Sequence, residues 1–320
     1  MNDLLKKIVK VGIVPVVTIE DIENAVPLAK ALCEGGLPCA EVTFRTEVAK
    51  EAIYEMIKVY PNMIVGAGTI LNIEQVDEAV NAGAKFIVSP GLNPKVVKYC
   101  LDKSITIIPG CSNPSDIENA IELGLEVVKF FPAEAAGGLN MIKAMSSPYG
   151  NIKFMPTGGI NLNNLNNYLE FEKVIACGGT WIANQQLMKE KRFEEIRNIT
   201  KEAVDKMLGF ELINIGINTT SEEEALSIAN HFKNLFGFGG QDYSHSILSG
   251  KCINIMKVPF LGENGHLTIG TNNINRAIWY LENKGYELDE ENKYYNEDGE
   301  LISIYLKMQI GGFAINLLQK

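Results

Sequence analysis

What most constrains this chain is a rhythm. Over its first two-thirds, short runs rich in β-branched residues alternate with helix-patterned segments, and the unit recurs roughly every 20 to 25 residues. The strand-like runs lie at 11–18, 39–44, 63–66, 85–88, 106–108, 126–130, 152–155 and 174–177. Helical patterns fall between them at 21–34, 47–59, 73–81, 94–103, 114–123, 138–145 and 161–169, and an amphipathic helix at 193–208 ends on Gly209. Asn93-Pro94 and Asn113-Pro114 each place a capping side chain before a proline, whose missing N–H is harmless at a helix start. Strands that alternate with helices pair in parallel. Eight such units predict a closed (β/α)8 TIM barrel over residues 1–209, with an open doubly wound sheet as the alternative.

Near residue 210 the plan changes. A strand pattern at 211–218 precedes a capped, acid-started helix at 221–235 and strand patterns at 244–248 and 251–258. The sequence then repeats itself: strand 266–271, helix 274–284, strands 301–309 and 313–318. This predicts a smaller α+β domain of two βαβββ modules over residues 210–320.

Charge and composition narrow the function. The formal net charge is −10, which disfavours nonspecific binding to nucleic acid or to an anionic membrane. No apolar run approaches a membrane span, and the first residues, Met1-Asn2-Asp3-Leu4-Leu5-Lys6-Lys7, start an amphipathic helix without a signal peptide's apolar core. The six cysteines (33, 39, 100, 111, 177 and 252) form no Cys-x-x-Cys, a pattern expected of reduced thiols in the cytoplasm. All three histidines, His231, His245 and His266, lie in the last third, so chemistry in the first 209 residues proceeds without a histidine base or ligand. No metal and no cofactor is expected there.

One residue stands out against the rhythm. Lys129 lies in Val127-Val128-Lys129-Phe130-Phe131-Pro132, an apolar strand with a single amine in it. Desolvating a cation is costly, so such an amine is expected to shed its proton near neutral pH and to attack carbonyls, forming a Schiff base. A lysine whose stem packs while its head reaches water is the competing reading. In a parallel barrel the reacting groups sit at strand C-termini and in the loops beyond them. The polar residues at those places form one set. Glu41 and Arg45 lie in Glu41-Val42-Thr43-Phe44-Arg45, Thr69 ends Gly66-Ala67-Gly68-Thr69, and Pro90 lies in Ser89-Pro90-Gly91. Thr157-Gly158-Gly159 and Gly178-Gly179-Thr180 follow the last two predicted strands. Glu41 alternates with apolar neighbours, so it faces the interior, either as a proton shuttle or as a structural partner of Arg45. Arg45 suits a carboxylate or phosphate. The two Gly-Gly turns, each read as standing before a helix, suit a phosphate.

Taken in order, Glu-Val-Thr-Phe-Arg-Thr-Glu, Gly-Ala-Gly-Thr, Ser-Pro-Gly, Lys-Phe-Phe-Pro-Ala-Glu, Pro-Thr-Gly-Gly-Ile and Gly-Gly-Thr-Trp resemble one family. It is the 2-keto-3-deoxy-6-phosphogluconate (KDPG) / 4-hydroxy-2-oxoglutarate aldolase family, and the likeness covers residues 1–208. The resemblance implies a trimeric, cofactor-free class I aldolase that forms a Schiff base through Lys129, with Glu41 as acid and base. It places Arg45, Thr69, Pro90, Phe131 and Thr157 around the pyruvate half of a phosphorylated keto acid. It places the phosphate at Gly158, Gly159, Gly178, Gly179 and Thr180. The implied reaction yields pyruvate and glyceraldehyde 3-phosphate, or pyruvate and glyoxylate from 4-hydroxy-2-oxoglutarate. The galactonate epimer is an alternative substrate, and a phosphate-sugar isomerase is a third reading that the absent histidine weighs against.

The repeated plan of the last third is similar to the vicinal-oxygen-chelate (glyoxalase-like) superfamily. The positions matching that superfamily's metal ligands are Asn214, Asn254, His266 and Asn316, a donor set ill suited to a transition metal. The expectation is a metal-free module that senses a ligand or supports assembly.

Overall fold

Asn2 opens the first element. Its side-chain oxygen accepts from the Leu5 N–H at 2.9 Å and caps a helix over Asp3–Val11, which buries Leu5, Ile8 and Val11. The computed structural model describes all of residues 1–320, which separate into two compact units, Met1–Met207 and Leu208–Lys320.

The first unit is a curled parallel sheet wrapped in helices. Its strands are β1 (Ile13–Val17), β2 (Cys39–Thr43), β3 (Ile64–Gly68), β4 (Phe86–Val88), β5 (Thr106–Ile108), β6 (Gly110–Cys111), β7 (Val127–Phe130), β8 (Lys153–Pro156) and β9 (Cys177–Gly179). Pro109 separates β5 from β6, because a proline cannot donate to the ladder. The result is a six-stranded sheet, ordered β5-β4-β3-β2-β1-β9, and a three-stranded one, β6-β7-β8. Isolated bridges from Phe154 to Val174 and from Thr157 to Gly178 tie β8 to the β9 segment. This is a TIM-like α/β fold.

Register decides which residues share a face. Directly paired residues point the same way, and so do residues two apart on one strand. Lys129 pairs with Met155, Thr157 bridges Gly178, Gly178 pairs with Val14, and Val16 pairs with Glu41. Lys129, Met155, Thr157, Gly178, Val14, Val16 and Glu41 therefore share one face of the curled sheet. The opposite face is covered by helices such as Ala25–Glu34, which buries Leu28, Ala29 and Leu32, and Ala49–Val59, which buries Ile53 and Met56.

The predicted strands and helices recur with shifted ends, and three differences matter. The last strand of the unit was expected at 174–177 but runs over Cys177–Gly179, so the second glycine pair lies within the strand rather than in a turn after it. The helix expected at 161–169 is confined to Leu165–Leu169. Asn161 accepts from Asn163 N at 2.9 Å and Asn164 accepts from Asn161 N at 2.8 Å, bonds that hold the preceding residues in a turn. A short helix at Gln185–Lys189, capped by Asn184, carried no periodic signal.

The second unit is one eight-stranded sheet. Its strands are β10 (Glu211–Asn218), β11 (Gly240–Asp242), β12 (Ser246–Ser249), β13 (Ile253–Met256), β14 (Gly265–Thr271), β15 (Leu288–Tyr295), β16 (Leu301–Ile310) and β17 (Phe313–Gln319). In the order β11-β12-β13-β10-β14-β17-β16-β15, each end runs inward through the second, third, fourth and first strands of its own half. β10 pairs with β13 in parallel, β14 pairs with β17 in parallel, and the two halves meet where β10 runs antiparallel to β14. The helix Glu222–Phe236 packs Ala225, Ile228, Ala229 and Phe232 over Ile247, Ile253 and Ile255. Strands β11 and β15 were not predicted.

Candidate active site

Lys129 is held on β7 between apolar neighbours, and every residue of that strand is buried. Its Nζ lies 3.2 Å from Glu41 Oε1 on β2, a strand that is not its neighbour in either sheet. The two side chains are 7% and 1% exposed. The contact identifies the face they share as the interior of the curled sheet. Removing either partner from such a buried pair leaves an uncompensated charge, which costs about 3–5 kcal/mol. Glu41 Oε2 is buried with no hydrogen-bond partner, so half of this carboxyl remains uncommitted. The ring of Phe131 lies 5.3 Å from Lys129 Nζ, measured to its centroid.

Two glycines give this pair its room. A Cβ on Gly68 would come within 2.1 Å of Glu41 Oε1, and one on Gly110 would come within 2.0 Å of the Pro90 carbonyl oxygen. Gly110 pairs directly with Lys129, so its bare backbone lets the Ser89-Pro90-Gly91 turn close in beside the amine. Gly110 escaped the sequence reading. Its one signal was a glycine set in a strand pattern next to a proline. Cys39, two residues before Glu41 on the same face, is fully buried. Burial and then the Glu41 charge push its thiol far above the usual range, so it does not compete as a nucleophile.

Arg45 does not pair with Glu41, which corrects the structural reading of that carboxylate. Its Nε donates to Thr69 Oγ1 at 3.3 Å, and Arg45 itself is exposed. Thr69 has φ 58, a left-handed backbone that is costly for a β-branched residue.

Thr157 follows β8, and its Oγ1 is buried without a partner. A Cβ on Gly178 would lie 2.2 Å from that oxygen, so Gly178 is a glycine for clearance. Gly158 and Gly159, at φ 100 and 82, are glycines for conformation. The outer side of their turn is pinned: Glu134 N donates to Gly158 O at 3.0 Å, and the Asn161 and Asn164 amides donate to Gly159 O at 3.2 and 3.1 Å. Glu134, whose carboxylate accepts from the Tyr168 hydroxyl, packs beneath Gly159. Burial and that bond raise the Tyr168 phenol well above its ordinary range. Neither glycine pair leads straight into a helix. The next helices start at Leu165 and Gln185 and span five residues each, so a helix dipole at these turns is not available. Thr180 is exposed just past β9.

In the second unit, Asn214, Asn254, His266 and Asn316 lie on one face of the sheet, in register through Gly216, which pairs with both Asn254 and His266. His266 Nδ1 and Asn214 Oδ1 are buried and unpartnered, while Asn316 Oδ1 accepts from Ser303 at 2.5 Å. No group of three or more His, Cys, Asp or Glu side chains is clustered as metal ligands anywhere in the chain. No helix is long and apolar enough to cross a membrane.

Comparison with known proteins bears on the first unit. The family model for KDPG and KHG aldolase matches residues 4–199. The 2-dehydro-3-deoxy-phosphogluconate aldolase of Treponema pallidum is 46% identical over 204 residues, spanning 64% of this chain and 97% of that protein. The crystal structure of the 2-keto-3-deoxy-6-phosphogluconate aldolase of Zymomonas mobilis is 40% identical and covers 62% of this chain and 95% of its own, with a TM-score of 0.59. A KDPG aldolase from Legionella pneumophila, solved with pyruvate captured at low pH as a covalent carbinolamine intermediate, is 36% identical. It covers 63% of this chain and 98% of its own, with a TM-score of 0.61. By the family match and by these relatives, the chain belongs to the KDPG and KHG aldolase family.

Proposed function

We propose that this chain is a class I aldolase that cleaves 2-keto-3-deoxy-6-phosphogluconate to pyruvate and glyceraldehyde 3-phosphate, and 4-hydroxy-2-oxoglutarate to pyruvate and glyoxylate. One observation carries the reading: a lysine amine and a carboxyl 3.2 Å apart, sealed inside the TIM-like unit that matches the aldolase family. Lys129 Nζ attacks the C2 ketone, and loss of water from the carbinolamine gives a protonated imine. Glu41 takes the proton of the C4 hydroxyl. The electrons of the C3–C4 bond pass to the imine, the aldehyde leaves, and the enamine is protonated at C3 and hydrolysed to pyruvate and free lysine. Arg45, Thr69, Pro90, Phe131 and Thr157 hold the pyruvate half. The backbone of Gly158 and Gly159 in their turn, and of Gly178, Gly179 and Thr180 at the end of β9, holds the phosphate, since exposed backbone amides at turns and sheet edges bind anions without a helix. The reaction needs no cofactor, and the active form is a cytoplasmic homotrimer.

The test is trapping. Pyruvate with borohydride is expected to add one stable pyruvyl group at Lys129, located by peptide mass. Modification of another lysine, or none, rejects the assignment. Pyruvate release from a panel of 2-keto-3-deoxy acids, the galactonate epimer included, then ranks the substrates.

For residues 210–320 the reading is a metal-free, glyoxalase-like module for ligand sensing or assembly. The mirrored order of two βαβββ halves supports it, as does a polar sheet face with two unpartnered buried atoms.

A further inference from the structure

The interior face that carries Glu41 holds a second polar group nearer the strand ends. Thr43 lies two residues beyond Glu41 on β2, so it shares that face about 6.6 Å further toward the C-terminal end. The β1–β2 register pairs Val16 with Glu41 and Val17 with Val42, and the next step sets Thr18 beside Thr43. Their hydroxyl oxygens are 2.8 Å apart. Thr43 is 1% exposed, whereas Thr18 is half-buried and borders a cavity of about 180 Å³ that also touches Asn24, Gln185 and Met188. On its other edge β1 pairs with β9, which carries Gly178 and Gly179.

The pair therefore sits on the interior wall just beyond Glu41, toward the C-terminal strand ends, on the strand pair next to the one that carries the second glycine segment. One O–H donates to the other oxygen. The accepting hydroxyl keeps its own hydrogen, and both oxygens keep lone pairs. That is a donor and acceptors on an otherwise aliphatic stretch, in a place where packing alone would be served by valine.

From this geometry we infer that Thr18 and Thr43 select the substrate by its C5 hydroxyl. The inference rests on the aldolase reading above. A keto acid joined through C2 to Lys129, with its C4 hydroxyl at Glu41 and its C6 phosphate at the glycine segments, passes C5 along this wall. The hydroxyl pair accepts from and donates to the C5 group, and positions the chain for cleavage at C3–C4. It is a specificity element and takes no part in proton transfer.

The experiment compares kcat/KM for 2-keto-3-deoxy-6-phosphogluconate with that for its 5-deoxy analogue. The full-length wild type is measured beside Thr43→Val, Thr18→Val and Thr43→Ser. The wild type is expected to prefer the C5-hydroxylated substrate, and each valine variant to shrink that preference by about five- to tenfold, the worth of one neutral hydrogen bond. Thr43→Ser is expected to keep it. Should Thr43→Val fail to fold, Thr18→Val, at the more exposed position, carries the comparison. The same preference in wild type and valine variants overturns the inference, and so does its loss in Thr43→Ser. Pyruvate trapping on the wild type keeps the two claims apart: a wild type that forms no adduct at Lys129 defeats the aldolase reading itself.

Discussion

The two units bury polar groups on a sheet face in opposite ways. In the barrel-like unit the central buried groups are an amine and a carboxyl that meet across the interior at 3.2 Å, with Glu41 Oε2 and Thr157 Oγ1 left unpartnered beside them. In the eight-stranded unit they are an imidazole and an amide, His266 and Asn214, each with a buried atom that nothing in the chain meets. Ion pairs are expensive to desolvate and tolerate burial only with close partners. Neutral polar groups left without a partner cost about 1–3 kcal/mol each, which a sheet this size can absorb. The first arrangement is anchored by one fixed contact and keeps its open capacity, Glu41 Oε2 and Thr157 Oγ1, around it. The second leaves its hydrogen-bonding capacity open.

The largest break in that contrast comes from Glu41. Glu41→Ala leaves Lys129 buried without its partner and is expected to lower stability by about 3–5 kcal/mol, read as a fall in the urea midpoint at unchanged m-value. Glu41→Gln keeps the shape and much of the stability. It removes the proton acceptor, and kcat is expected to drop by about 10²–10⁴-fold. If Glu41→Gln keeps wild-type kcat, the carboxyl is structural, and the two units differ only in packing.

These residues were legible to different degrees, for physical reasons. An amine in an apolar strand and a carboxylate alternating with Ala40 and Val42 mark the interior face without any coordinates. Their contact was not legible, because it joins strands separated by 88 residues and exists only once the sheet curls. Gly68 and Gly110 look like ordinary turn or strand glycines until their neighbours' atoms are placed. The 161–169 segment reads as helical from its leucine spacing, but Asn161 and Asn164 spend their side chains on the turn at Gly159 and delay the helix. In the second unit β15 has the sequence LDEENKYY and buries only Leu288. An edge strand facing water needs no alternation and is protected by its charges, so it gives no periodic signal. The repeated order of the other strands was legible because each half buries one face.

A smaller effect tests the anion site of the first unit. Gly159→Ala demands a left-handed alanine at φ 82, with its Cβ 2.5 Å from Glu134 Cγ. The side chain beneath must move, and the pinned turn shifts with it. The expected outcome is a roughly tenfold rise in KM for the phosphorylated keto acid with a much smaller change in kcat, because the turn binds the phosphate and stays away from the reacting carbons. An equal loss on 4-hydroxy-2-oxoglutarate, which carries no phosphate, would place Gly159 in general folding instead.

The smallest effect sharpens the other side of the comparison. His266 packs its ring against Gly216, where a Cβ would lie 2.1 Å from Cε1, and it is 6% exposed. Burial alone lowers its pKa from the ordinary 6.5. The folded state thus favours the neutral ring, and the unfolded chain takes up the proton first. Stability from this residue is complete above pH 6.5 and is lost as pH falls through the lower folded value. The strand neighbours of His266 in register are Gly216 and Ala314, neither able to shield an imidazolium. Acidification from pH 7 to 5 should therefore lower the amide protection factors of β10, β14 and β17, each taken relative to the intrinsic exchange rate at that pH, and His266→Gln, neutral at both values, should flatten that change. The barrel-like unit holds no histidine, so its acid response is untouched by the substitution. If His266→Gln leaves the acid response of those three strands as it was, the imidazole is already met by a partner on folding, and the contrast between the units disappears at its weakest point.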